Sequence, residues 1–158
     1  MITANRYHDI SVGHRVHNHE SKCAHLHGHN YRIHFEVISP ALDAVGRVMD
    51  FSVIKERLCE WLEREWDHKF LAWAKDPLMQ AVMHATATAK DTKDNHRTGM
   101  MLRESIVWVP FNPTAENMAR YLVNDIGPAM LAGTSCVLHR VVIEETRKCS
   151  VSFTREVQ

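Results

Sequence analysis

The sequence predicts an α+β fold in which the elements follow one another in the order strand, strand, helix, helix, strand, strand. Two observations support this order: β-branched and aromatic residues are concentrated near both ends of the chain, and two amphipathic segments lie between them. The length of 158 residues suits one domain with a substantial core. We therefore expect residues 1–158 to form a single domain of the ββααββ type.

The four predicted strands occupy residues 2–12, 29–38, 136–143 and 149–153. The second is the clearest, because apolar and polar residues alternate along it as in a strand that buries one face. The apolar members of this alternation are Tyr31, Ile33, Phe35 and Val37. Each end of the chain thus contributes two strands, with a polar turn between the last pair.

The two predicted helices have apolar residues at three- and four-residue spacing and begin with a residue suited to capping. The first follows Ser52, and the second follows Thr114 with Glu116 in its first turn, until Gly127-Pro128 weakens or ends it. Residues of about 72–105, between the helices, show no clear periodicity and are interpreted as an extended excursion.

Charge and composition favour a small-molecule substrate. Nineteen basic and nineteen acidic residues cancel, and no run of Lys or Arg suggests a nucleic-acid groove or an anionic membrane surface. No apolar run approaches the roughly 18 residues that a spanning helix needs. The four cysteines are scattered and no signal-peptide pattern is visible, so we expect a cytoplasmic protein.

Histidine is the outlier of the composition, because eight of the twelve histidines fall between His8 and His34. His27 and His29 lie two apart at the start of a strand, where their side chains project to the same face. His14 ends the first strand and would join them if the two strands form a hairpin. Three imidazoles would leave an open zinc position, although a His-x-His pair alone is more often plain polar surface.

Three further groups of residues can each be interpreted as functional or as merely structural. Cys23 could be a fourth ligand of a closed structural zinc site, a thiol base beside the metal, or a small buried side chain. Asp67-His68 could orient or pass a proton, although such a dipeptide is mostly surface polarity. At the end of a strand, Glu144-Glu145 could accept paired hydrogen bonds from a flat guanidine-like group or could simply be solvated.

These groups belong to a series of short motifs whose joint order is far more specific than any one of them. The series resembles the 6-pyruvoyl-tetrahydropterin synthase and 6-carboxytetrahydropterin synthase family over most of the chain. The matching pieces are His14 in Ser11-Val12-Gly13-His14-Arg15, Cys23-Ala24-His25-Leu26-His27-Gly28-His29-Asn30-Tyr31, Asp50-Phe51, Asp67-His68, Asn112-Pro113-Thr114-Ala115-Glu116-Asn117 and Glu144-Glu145-Thr146.

The resemblance implies a role for seven of the matching residues. It makes Cys23 the catalytic thiol, with Asp67 and His68 as proton-relay partners, and Glu145 rather than Glu144 the pterin anchor. It also implies the tunnelling fold, a four-stranded antiparallel sheet with two helices packed on one face, which oligomerises into a barrel. The assembly would be a homohexamer of two trimers with active sites at subunit interfaces. The zinc ligands would be His14, His27 and His29.

The three residues between Cys23 and the His27-Gly28-His29 motif look like the carboxy branch of the family. Its members convert 7,8-dihydroneopterin triphosphate to 6-carboxytetrahydropterin, with release of acetaldehyde and triphosphate, on the route to queuosine and other deazaguanines. The alternatives are a 6-pyruvoyltetrahydropterin synthase, which releases no acetaldehyde, and a non-catalytic zinc-binding module. Two departures from the family pattern are the long connection from His68 to Thr114 and the absence of an Asn soon after Asp67-His68.

Overall fold

The computed structural model describes residues 1–88 and 102–156. Six strands within these residues form one sheet: β1 (Ala4–His14), β2 (His27–Ile38), β3 (Lys69–Trp73), β4 (Ile106–Val109), β5 (Val137–Thr146) and β6 (Cys149–Thr154). Their order across the sheet is β4-β3-β1-β2-β5-β6. The long hairpin of β1 and β2 therefore occupies the centre of the sheet.

The four strands predicted from the sequence are β1, β2, β5 and β6, and they pair antiparallel as expected. The predicted count of four is wrong, because β3 and β4 extend the sheet beyond β1 in parallel pairing. These two strands have five and four residues, too few to show a period of two. Their pairing is also non-local, so no turn signal marks it.

Three long helical segments accompany the sheet in the described part of the chain, where residues 102–105 before β4 are helical as well. Helix α1 runs without a break through Phe51–Ile54, Lys55–Cys59 and Glu60–Glu65, the middle segment having the wider π-helical turn. Helix α2 is Pro77–Thr88, and α3 runs through Ala115–Tyr121, Leu122–Ile126 and Gly127–Met130, again with a π-helical middle. Residues 89–101, in the middle of the predicted excursion, lie outside the described residues.

The helix starts test the predicted caps. Thr114 is confirmed as the cap of α3, since its hydroxyl accepts a hydrogen bond from the Asn117 amide. The choice of Ser52 for α1 is wrong: Asp50 has extended backbone angles, and its carboxylate accepts from the Ser52 amide at 2.8 Å. Helix α3 also continues past Gly127, because Pro128 falls in the first turn of a new α-helical segment, where no N–H is needed.

Helices α1 and α3 cover one face of the sheet, and the hydrophobic core lies between these helices and the sheet. Alternate residues of the central strands point into it, in agreement with the predicted alternation along β2. The largest fully buried side chains include Trp66, Tyr31, Phe35, Leu58, Met118 and Leu122. No helix among residues 1–88 and 102–156 combines the length and apolar character needed to cross a membrane.

Candidate metal centre and active site

The hairpin of β1 and β2 brings three histidines together at the end where the two strands are connected. His14 and His27 are direct cross-strand partners, and His29 follows two residues along β2 on the same face. One ligand nitrogen from each imidazole can be chosen so that all three lie within 4.8 Å of one another. His14 is buried while the other two are partly exposed, so this group could hold a metal ion with one side open.

Backbone carbonyls set the orientation of two of these imidazoles. The Nδ1 atom of His14 lies 2.7 Å from the carbonyl oxygen of Pro113, and that of His27 lies 2.8 Å from the carbonyl oxygen of His25. A carbonyl only accepts, so each Nδ1 carries the proton and donates it. Each Nε2 then keeps its lone pair for a metal, as in most histidine metal sites.

Electrostatics also favour the neutral imidazoles that bind metals. Burial lowers the pKa of His14 below its ordinary value, and the nearby His27 and His29 add to this effect. Burial likewise lowers the pKa of His29. Because a metal competes with protons for the same nitrogen, a lowered pKa keeps the site available under mildly acidic conditions.

The glycine of His27-Gly28-His29 is required by the closeness of the two strands. Gly28 faces Gly13 across the hairpin, and a Cβ at Gly28 would lie 2.8 Å from the carbonyl oxygen of Val12. A Cβ at Gly13 would lie 2.6 Å from the ring of Phe70 on β3. The paired glycines thus let β1, β2 and β3 pack closely where the histidines converge.

Glu145 faces the histidine cluster, and its neighbour Glu144 does not. The pairing of β5 with β6 shifts between Glu144 and Thr146, so Glu145 occupies a β-bulge of the kind that re-aims a side chain. Its Oε1 lies 3.7 Å from the Nε2 of His29 and accepts a hydrogen bond from the Tyr31 hydroxyl at 3.2 Å. Glu144 instead contacts His34 on the opposite face of the sheet.

Cys23 lies in a short 3-10 turn, Lys22–Ala24, between the two central strands. Its side chain is half-buried and lines a cavity of about 350 Å³ together with His14, Glu116, Glu145 and Cys149. Among the described residues, only the three histidines form a group that could hold a metal ion, and the Cys23 thiol does not join it. This arrangement disfavours a closed site with a thiolate as fourth ligand.

Asp67 and His68 lie elsewhere in the chain. They line a separate cavity of about 540 Å³ to which Asp9, Arg32 and Asn30 also contribute. The side chain of His68 is 81% exposed, and its Nδ1 lies 2.6 Å from the Asp67 carboxylate. The single chain therefore does not bring this pair to Cys23.

The backbone nevertheless holds Asp67 and His68 firmly. His68 has a φ of 55°, a left-handed conformation that is costly for a residue with a side chain. It is maintained by two bonds to β1: the His68 amide donates to the Ser11 carbonyl, and the Ser11 amide donates to the Asp67 carboxylate, each at 2.8 Å. Burial raises the pKa of Asp67, but the hydrogen bonds from Ser11 and His68 outweigh it, and the net pKa lies below the ordinary value.

Residues 3–156 match the family model described as 6-pyruvoyl tetrahydropterin synthase. The chain belongs to this family. A relative from Rickettsia felis named 6-carboxy-5,6,7,8-tetrahydropterin synthase is 30% identical over 152 residues, which cover 96% of this chain and 99% of the relative. One of the same name from Aquifex aeolicus is 32% identical over 140 residues, covering 86% and 78%.

Solved structures give the same fold. An uncharacterized protein from Wolinella succinogenes superposes with a TM-score of 0.81 at 22% identity, covering 98% of both chains. The 6-pyruvoyl tetrahydropterin synthase of Caenorhabditis elegans superposes with a TM-score of 0.60, also at 22% identity, covering 98% of this chain and 96% of that one. The predicted α+β fold class, the family and a lyase-type enzyme acting as a pterin synthase are thereby confirmed.

The structure adds residues to which sequence reasoning gave no role. The Tyr31 hydroxyl lies 3.1 Å from the Nε2 of His14, yet its position in the strand pattern indicated only a core residue. The carbonyl of Pro113 is invisible to side-chain motifs. Asn112 binds both the amide and the carbonyl of His17, at 2.8 and 2.9 Å. Its place in the Asn112-Pro113-Thr114 motif was the one available signal.

Proposed function

We propose that this chain is a zinc-dependent 6-carboxy-5,6,7,8-tetrahydropterin synthase. It would act as a carbon–carbon lyase on 7,8-dihydroneopterin triphosphate and release acetaldehyde and triphosphate. The observation that carries the proposal is the group of three imidazoles, whose buried member His14 lines one cavity together with Cys23 and Glu145. The names of the curated relatives from Rickettsia felis and Aquifex aeolicus favour the carboxy product, which would serve queuosine and other 7-deazaguanine synthesis.

The donor set fits zinc. His14, His27 and His29 offer three nitrogens and leave room for substrate, the arrangement of a catalytic rather than a structural zinc. The Nδ1 protons fixed by Pro113 and His25 leave the Nε2 atoms free to bind it. When bound, zinc would acidify the side-chain hydroxyls of the substrate and polarise a developing carbonyl.

The remaining residues divide into an anchor and a proton relay. Glu145 would accept hydrogen bonds from the guanidine-like edge of the pterin, with its carboxylate steadied by the Tyr31 hydroxyl. This holds the reacting side chain beside the metal and Cys23, the entropic part of catalysis. Cys23 and His68 would move protons, with Asp67 orienting the His68 ring through its Nδ1.

A homo-oligomer would bring the separated halves of the site together. Cys23 and His68 line different cavities of one subunit, whereas the family resemblance implies sites between subunits of a homohexamer built from two trimers. The Cys23 half from one chain would then meet Asp67 and His68 from another. A cytoplasmic location suits the four free cysteines.

The test is to incubate the zinc-loaded protein with 7,8-dihydroneopterin triphosphate, to identify the pterin by mass and to assay acetaldehyde. We expect 6-carboxytetrahydropterin with one acetaldehyde per turnover, and loss of turnover after chelation with recovery on adding zinc. If neither product forms with fully loaded protein, the proposal is wrong. A product that retains every side-chain carbon would instead identify a 6-pyruvoyltetrahydropterin synthase.

The Cys23→Ala variant separates an enzyme from a structural zinc module. We expect it to keep its zinc and lose turnover, because the thiol lies outside the histidine group. A Cys23→Ala protein that has lost its zinc would instead support a closed site in which the thiolate is a ligand.

A further inference from the structure

Asp76 is a buried carboxylate between β3 and α2, at the start of the long connection that departs from the family pattern. Its side chain is only 1% exposed. A carboxylate removed from water in this way needs compensating partners. One oxygen accepts a hydrogen bond from the Leu78 amide at 3.0 Å and so caps α2. That bond alone does not balance the negative charge.

The positive charge that faces this carboxylate is Arg15, in the segment that follows His14. The Nε of Arg15 lies 3.1 Å from one carboxylate oxygen, and the Nδ1 of His17 lies 3.7 Å from the other. Within the described residues, neither buried nitrogen makes an aligned hydrogen bond, so each contacts the Asp76 carboxylate by proximity rather than through a hydrogen bond. The His17 ring also packs against Trp73 of β3, with ring centroids 5.5 Å apart.

The same segment leads directly to Cys23. Between Arg15 and His17, the Val16 amide donates a hydrogen bond to the Cys23 carbonyl at 2.7 Å and closes the loop that carries the thiol. Asn112 holds His17 from the other side through both of its backbone groups. Asp76 and Asn112 thus fix the base of this loop from two different parts of the chain.

We propose that Asp76 is a positioning residue for the Cys23 thiol and acts through Arg15, His17 and the bond from Val16 to Cys23. The inference rests on the proposed role of Cys23 as the catalytic thiol. It gives the beginning of the long connection a function: β3 and α2 place one buried charge where it holds the thiol loop against the histidine cluster. Asp76 itself would touch neither substrate nor metal.

The chain offers matched variants for the test. Asp76→Asn keeps the size of the side chain and removes the charge. Asp50→Asn is the control, because Asp50 also caps a helix, accepting from the Ser52 amide, but is paired with Arg47 far from the thiol loop. Both variants are purified with zinc, and their turnover and metal content are measured. The cysteines are then alkylated with iodoacetamide and quantified by peptide mass.

Cys149 lines the same cavity as Cys23 but lies on β6, so the ratio of their alkylation rates is an internal reference. In Asp76→Asn, we expect the alkylation rate of Cys23 relative to that of Cys149 to rise about threefold or more, because the loop that carries Cys23 opens locally. We expect kcat to fall about 10- to 100-fold through misplacement of the thiol. KM and zinc content should stay within about twofold of the wild type, as both should in Asp50→Asn.

Two results would overturn the inference. One is a Cys23 to Cys149 ratio and a kcat that both stay within about twofold of wild type. The other is a loss of zinc that accounts for the lost turnover, since Asp76 would then support His14 rather than the thiol. If Asp76→Asn does not fold, Arg15→Lys must raise the ratio in its place, and an unchanged ratio rejects the inference. Because alkylation needs no substrate, this result stands apart from failure of the proposed function.

Discussion

At the scale of single residues, two adjacent carboxylates have opposite surroundings. Glu145 lies at the bulge of β5 and faces Tyr31 and His29, whereas Glu144 faces His34 on the other side of the sheet. In Glu145→Gln we expect kcat/KM for the pterin triphosphate to fall about 10- to 100-fold, since a hydrogen-bonded charge contributes roughly 1.5–3 kcal/mol. Zinc content should not change.

Glu144→Gln is the matched control, and its kcat/KM should stay within about threefold of the wild type. Steady-state kinetics on both variants, with metal analysis, decide the matter. Equal losses of kcat/KM in the two variants would contradict the proposal that Glu145, and not Glu144, binds the pterin.

The histidine cluster gives the zinc-free protein a defined pH dependence. The pKa of His14 is lowered in the fold from its ordinary value of 6.5, mainly by burial, and that of His29 is lowered as well. Between their lowered folded-state pKa values and 6.5, these two groups therefore bind more protons in the unfolded chain than in the folded one. The free energy of unfolding should rise with pH up to that point, by at most about 1.4 kcal/mol per pH unit for each group.

Urea unfolding of the chelated protein across this range measures the effect. His14→Asn removes one titrating group and should give a shallower rise. Stability that falls as the pH approaches 6.5 from below, or an unchanged slope in the variant, would contradict the assignment.

How much of the site could be predicted depends on whether the sequence records the interaction. The spacing of His27 and His29 on a strand, and the end position of His14, were enough to suggest their convergence. The carbonyl of Pro113 that orients His14 lies 99 positions away and belongs to the backbone, so no side-chain pattern could reveal it. Asp76 was equally hidden, because a buried carboxylate and a solvated one look alike in sequence.

At the scale of secondary-structure elements, the close crossing of β1 and β2 depends on Gly28. A Cβ there would lie 2.8 Å from a backbone oxygen that has little freedom to move. We expect Gly28→Ala to lower the free energy of unfolding by about 1–3 kcal/mol through overpacking. Zinc affinity should fall too, because His27 and His29 flank the shifted strand. Chemical denaturation and metal titration measure the two effects.

Asn30→Ala is the comparison for Gly28→Ala. Asn30 is exposed on the same strand and accepts one exposed hydrogen bond, from the Ser11 hydroxyl, so this change should cost less than the roughly 1 kcal/mol of a typical hydrogen bond. A Gly28→Ala protein with unchanged stability and zinc affinity would show that the strands can separate without cost.

The elements that the sequence predicted are those with strong local signals. Alternation marked β2, and a capping threonine with apolar spacing marked α3. Strands β3 and β4 were not predicted, because their parallel pairing joins residues 36 positions apart and each strand is too short to show a period of two. Helix α2 lay in the region interpreted as excursion, since its Ala and Thr residues give no amphipathic pattern.

At the scale of the whole molecule, the proposed site is divided between two surfaces of the subunit. Cys23 lines the cavity beside the histidines, and His68 is exposed at another cavity. If neighbouring subunits complete each other's sites, a protein lacking Cys23 and a protein lacking His68 should complement one another. Neither Cys23→Ala nor His68→Ala should turn over substrate when assembled alone.

Mixed assemblies of the two inactive variants provide the decisive measurement. After joint unfolding and refolding in equal amounts, random assembly places an intact Cys23 opposite an intact His68 in about one interface in four. We therefore expect recovery of about one quarter of wild-type activity per site, because such a site lacks neither proton-transfer group. The double variant Cys23→Ala/His68→Ala, refolded with wild type, controls for refolding losses. Mixed oligomers that form, as shown by mass, yet remain inactive would place both groups within one subunit's site and reject the shared arrangement.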